Sequence, residues 1–200
     1  MDSKLSFKEH IASVSKKIAR TVGLLAKLRY YMNRTTLIMI YNALIYPFLT
    51  YSVPIWGNSS STYLNSLLVL QKKAARFITF NDTYIKPASA PLFQELNILN
   101  IHDIFKVETL KFVYECINKT NPLQFHNFFS ITSTRQNTAY TRNNKLVTPQ
   151  VRTSSYGLKS IKYTGAFLWN ELPGTICSSK TKKIFSKKLK KELLKSYSNS

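Results

Sequence analysis

Catalysis at a phosphate, an acyl group or a glycosidic bond needs carboxylates, imidazoles, thiols or activated hydroxyls at defined spacings, and few such groups are available here. The aspartates are Asp2, Asp82 and Asp103. Two-metal phosphoryl transfer needs carboxylates gathered around its cations, whereas these are never adjacent, and no F/Y-x-D-D element occurs. His10, His102 and His126 have neither H-x-x-x-H spacing nor Ser and Asp partners at recognisable intervals, and there is no glycine-rich phosphate loop. Each histidine is read as structural. Cys116 and Cys177 stand far apart without a C-x-x-C partner, which signals neither a disulfide framework nor a zinc site. The expectation is a chain with no catalytic residue, no metal and no cofactor, and no enzyme on its own.

Cations are the abundant chemistry. Against 9 acidic residues stand 29 Lys plus Arg, a formal charge of +20, and self-repulsion on that scale points to a polyanionic partner. Nucleic acid is the first candidate and an anionic membrane the second. Residues 1–80 carry 11 basic and 2 acidic side chains, residues 81–130 carry 4 and 5, and residues 131–200 carry 14 and 2. Two basic regions therefore flank a near-neutral one spent on packing, although a solvated surface without ligand gives the same pattern. With 44% hydrophobic and 13% aromatic residues, the composition is that of a folding chain. The first ten residues, MDSKLSFKEH, hold no apolar stretch of the secretory kind, so a nuclear or cytoplasmic protein is expected and not a secreted one.

Helices must position these cations. Ile11, Val14, Ile18, Val22, Leu25 and Leu28 follow steps of three and four and predict a helix within residues 6–32. Lys16, Lys17, Arg20 and Lys27 lie between those positions, on its solvent side. Asn33 or Thr35 can cap a second helix through Leu37, Ile40, Tyr41 and Leu44, ended or kinked at Pro47, while Pro54, Trp56 and Gly57 mark a turn. A third helix is predicted over residues 62–77, with Leu64, Leu67, Leu68, Gln71, Ala75 and Ile78 on one side and Lys72, Lys73 and Arg76 near its end, where cations also suit the helix dipole.

No charged residue lies between Arg34 and Lys72, and residues 37–55 are apolar enough to raise a membrane span. Asn42, Pro47, Thr50, Ser52 and Pro54 interrupt the run and favour a buried helix and turn. Further on, PLFQELNI from Pro91 reads as a short helix. Asn100 can cap a long one through Asn118, with Ile101, Ile104, Phe105, Phe112, Val113, Cys116 and Ile117 on its apolar face, so that Cys116 is read as core. Residues 122–144 read as a loop or linker. Residues 146–152 and 158–163 favour short strands, as in a hairpin. Residues 165–172 suit a helical turn or two carrying Trp169. Phe185, Leu189, Leu193 and Tyr197 mark a terminal helix whose other faces carry lysines. The expected fold is mainly α. It comprises a helical bundle over 1–80, a helical connector over 81–121, the loop 122–144, and a small mixed α/β segment over 145–200 ending in a basic helix.

Seven short segments give the order of these elements a further meaning. They are LSFKEHI (5–11), IYNALIYPFLTYSVPIWG (40–57), LQKKAARFI (70–78), PLFQELNILNI (91–101), Thr141 with Arg142, PQVRTSSYG (149–157) and SIKYTGAFLWNELP (160–173). Their order and spacing resemble the C-terminal part of reverse transcriptases of non-LTR (LINE-type, Jockey-like) retrotransposons, over nearly the whole chain. The resemblance implies that the fingers, the palm with its catalytic aspartates and the endonuclease lie before Met1, and that residues 1–80 are a thumb-like bundle followed by the post-polymerase region. Many members of that family continue into zinc knuckles, and this sequence ends at Ser200 without them, which weakens the case for autonomous RNA targeting.

What the resemblance implies for the cations is a grip on the backbone of RNA or an RNA/DNA hybrid by Lys16, Lys17, Arg20, Lys27, Arg29, Arg34, Lys72, Lys73 and Arg76. Such contacts bring steep salt dependence and little sequence preference. The missing palm and fingers would be the protein partners. Arg135, Arg142 and Arg152 are assigned to nucleic acid on charge alone. Lys182, Lys183, Lys187 and Lys188 belong to a tail that can bind RNA, serve as a nuclear address, or keep an amphipathic helix soluble. Tyr30, Tyr31 and Trp56 are read as aromatic core, with base stacking as the alternative. The rival reading is a host-adopted interaction module, or a membrane-associated protein, that docks through residues 37–56.

Overall fold

A computed structural model describes residues 6–80, 89–131, 145–153 and 156–197. They fall into two compact units. One contains the described residues up to Phe105 together with 191–197, the other the described residues from Lys106 to Lys190, so the division runs within two helices. The fold is mainly helical, and the described residues form no β-sheet.

In the first unit, α1 (Lys8–Leu28) turns Ile11, Val14, Ile18, Val22 and Leu25 inward, as its periodicity predicts. Asn33 caps α2 (Arg34–Leu44), its side-chain oxygen accepting from the Thr36 N–H at 2.9 Å. The apolar run that follows is broken into α3 (Tyr46–Thr50) and α4 (Val53–Trp56), with Pro47 and Pro54 in their first turns. Proline there gives up an N–H that a helix start leaves unbonded anyway. One-turn α4 therefore replaces the expected turn at Pro54. Leu37, Tyr41, Ile45, Leu49 and Val53, every fourth residue, are all fully buried. One face of the uncharged stretch thus joins the core of this unit, and no helix among the described residues is long and apolar enough to cross a membrane.

α5 (Ser61–Ile78) packs on α1, with the Ser15 and Ser66 hydroxyls 3.1 Å apart. Its buried Gln71 donates from Nε2 to the Tyr41 hydroxyl at 2.9 Å and to the Leu99 carbonyl at 3.1 Å, tying α5 to α2 and to the segment after α6 (Ser89–Glu95). α7 (Ile101–Ile117) begins at Asn100, whose Oδ1 accepts from the Asp103 N–H. Tyr197 closes this end: its hydroxyl donates to Asp103 Oδ2 and accepts from both the backbone N–H and Nδ2 of Asn100.

The second unit is built on the later turns of α7, with α8 (Ile161–Asn170), α9 (Gly174–Cys177) and the start of α10 (Lys182–Ser196). Tyr114 stacks on Phe185 at 4.8 Å and donates its hydroxyl to the Ser179 carbonyl, while Trp169 covers the same ring at 5.8 Å. Residues 122–131 are more ordered than a linker. A 3₁₀ turn (Leu123–Phe125) brings Phe125, Phe128 and Phe129 against Phe112 in edge-to-face contacts of 5.4 to 6.3 Å. The remainder of the expected loop, 132–144, lies outside the described residues.

Neither expected strand forms among the described residues, so where mixed α/β was expected the segment is irregular up to Ser160 and helical from Ile161. Leu146 makes only an isolated antiparallel bridge to Ile131. Its own N–H and C=O are taken by the Asn170 side chain at 2.8 and 2.9 Å, an amide standing where a partner strand would be. Residues 158–163 turn into α8 because Ser160 caps it, accepting from the Tyr163 N–H and donating to the Gly157 carbonyl. β-branched Ile161 reads as strand, but the cap three residues before Tyr163 decides for helix.

Candidate nucleic-acid interface

On α1 the cations stand opposite the buried face. Lys16, Arg20 and Lys27 are exposed and, among the described residues, have no ion-pair or hydrogen-bond partner. At 100° per residue they lie within about 40° of one another, and the 1.5 Å rise spreads them over about 17 Å. Lys17, also exposed, leaves this line and holds its Nζ 5.4 Å from the centre of the Phe48 ring.

The end of α1 meets the end of α5. The Ser15–Ser66 contact and the Arg29 guanidinium 5.4 Å from the Phe77 ring fix two points in the same order along both helices, so α1 and α5 run parallel. Their C-termini share one end of the unit and bring Lys27, Arg29 and Arg76 there. The partial negative charge of helix C-termini offsets some of the repulsion between these cations. Arg29 is half-buried, 4.9 Å from the Tyr30 ring, and donates to the Tyr30 hydroxyl at 3.3 Å. Lys73 is exposed, Lys72 half-buried, and Arg76 half-buried with Nε enclosed.

Other predicted cations have protein partners. Arg34 pairs with Glu95 Oε1 at 2.6 Å, a contact open to water and worth about 0–1 kcal/mol, so phosphate can compete for it. Lys182 pairs with Glu115, and Lys188 donates to the Thr175 carbonyl at 3.0 Å. In the second unit Arg152, Lys183 and Lys187 are exposed. Arg135 and Arg142 lie outside the described residues, as do Asp2 and Asp82.

The aromatic expectations divide. Trp56 is core, its indole N–H donating to the Tyr51 carbonyl at 2.8 Å and its ring 5.5 Å from that of His10. Tyr30 and Tyr31 are not core: they are 74% and 84% exposed. Their position was readable, because the α1 periodicity stops at Leu28 and Asn33 caps the next helix, which leaves 29–32 to a turn. No group of three or more His, Cys, Asp or Glu able to hold a metal occurs among the described residues. The Cys116 thiol is buried, and burial raises its pKa. No family model, curated protein or solved structure matches this chain.

Proposed function

We propose that this chain is the nucleic-acid-holding, C-terminal part of a retrotransposon reverse transcriptase, binding RNA or an RNA/DNA hybrid through the phosphate backbone, with polymerase chemistry supplied by carboxylates elsewhere. The observation that carries the reading is the row Lys16, Arg20 and Lys27: three cations on one helix face, without partners among the described residues, in a chain of net charge +20. Phosphate contact asks only for positive charge within reach of a backbone. The ordered motifs add support from the sequence.

Fluorescence anisotropy with a short RNA/DNA hybrid across roughly 50 to 300 mM salt tests it. Binding should weaken steeply with salt, and Lys16→Gln, Arg20→Gln and Lys27→Gln together should lower the slope of log K against log salt by about 3. A folded wild-type chain that ignores the hybrid at low salt overturns the proposal. Exposed Met39, Leu44, Tyr51 and Ile55 favour a second reading, protein docking through residues 37–56. Such binding would be nearly indifferent to salt.

A further inference from the structure

We infer that Tyr30 and Tyr31 form a stacking platform for unpaired bases at the end of the α1 cation row; the inference rests on the nucleic-acid reading. Past Leu28 the backbone closes in a hydrogen-bonded turn. The Tyr31 and Met32 N–H groups both donate to the Leu28 carbonyl at 2.9 Å, and Asn33 then caps α2. The turn therefore carries Tyr30 and Tyr31 directly beyond the C-terminal end of the row Lys16, Arg20 and Lys27. The cation row itself measures about 17 Å, the length of about five nucleotides of one stacked strand at 3.4 Å each.

The tyrosines are held on a hydrogen-bonded turn, so ordering them costs little on binding. Arg29 sits 4.9 Å from the Tyr30 ring, adding charge beside the π surface. A nucleobase suits this arrangement: it offers a flat face to the rings and leaves its own polar edges in water. Its phosphates meet the cations that precede the rings. A continuous duplex keeps its base faces covered, so the platform selects unpaired strands. An anionic membrane would also attract cations and tyrosines, and is tested against.

The full chain is to be titrated, at about 300 mM salt where the phosphate contribution is suppressed, with a 12-nucleotide thymidine oligomer and with a relaxed, covalently closed circular duplex, which has neither ends nor loops. The single strand should bind more tightly. Tyr30→Ala with Tyr31→Ala should weaken single-strand binding about ten- to hundredfold and change closed-duplex binding by less than about twofold, while Tyr30→Phe with Tyr31→Phe should restore it. Both rings are exposed, so the variants keep the core, which far-UV circular dichroism checks. Equal binding of strand and duplex, unchanged by the alanines, would overturn this inference and leave the proposed function standing. Failure to bind either nucleic acid at any salt would overturn both. Tyrosine-dependent binding to phosphatidylserine vesicles without single-strand binding would replace the base by a lipid surface.

Discussion

Three hydrogen bonds of the first unit converge on the Tyr197 hydroxyl, and its removal has a defined cost. It gives Asp103 a donor and receives two bonds from Asn100, all at the buried start of α7. Tyr197→Phe keeps the ring but leaves the Asp103 carboxylate and the Asn100 N–H short of a partner. A loss of about 1–3 kcal/mol is expected, read as a lower urea midpoint. The same environment sets an alkaline limit. Unfolded tyrosine titrates near pH 10. In the fold, burial raises the pKa of Tyr41, and burial followed by the bond to Asp103 raises that of Tyr197. Above about pH 10 the folded state then holds more protons than the unfolded one. Stability is complete below that pH and falls as pH rises beyond it. In a titration followed at 295 nm, Tyr41 and Tyr197 should ionise only together with the loss of helical circular dichroism.

Among the elements, α1 and α8 make opposite demands on a central glycine. Gly23 lies on the exposed side of α1, and a Cβ there would have nothing within 4 Å. Gly23→Ala should therefore stabilise the chain by about 0.5–1 kcal/mol through helix propensity. In α8 a Cβ on Gly165 would come within 2.9 Å of both the Phe129 ring and Val113, so Gly165→Ala must displace core and should lower the thermal midpoint. Such differences explain what could be read in the sequence. α1, α2, α5, α7 and α10 were legible because each carries its own 3.6-residue period, and Asn33 and Asn100 announce two helix starts. The 3₁₀ turn and its phenylalanine cluster were not legible, because that packing depends on Phe112, an element away. Nor was the Leu146–Asn170 pairing, in which one side chain does the work of a strand. At the candidate interface the α1 row followed from periodicity alone, whereas the partners of Arg34 and Lys182, at Glu95 and Glu115, come from long-range packing.

At the level of the whole molecule, charge sets fold stability and ligand binding against each other. A net charge of +20 destabilises the folded chain, because folding brings like charges closer than they stand in an expanded one. Added salt shortens the Debye length to about 10 Å at 0.1 M and screens that repulsion. It also removes the gain from counterion release on which phosphate binding rests. Raising sodium chloride from about 20 to 300 mM should then move the two properties in opposite directions. The urea midpoint of the free chain should rise by about 0.5 M for each 1 kcal/mol recovered, at a slope of about 2 kcal/mol per M. Affinity for an RNA/DNA hybrid should fall. At low salt a polyanion such as heparin should raise the midpoint as salt does, by occupying the cations directly. A midpoint that stays flat or falls between the two salt conditions would mean that the cations are already balanced within the fold, with little free energy left for an external polyanion to release.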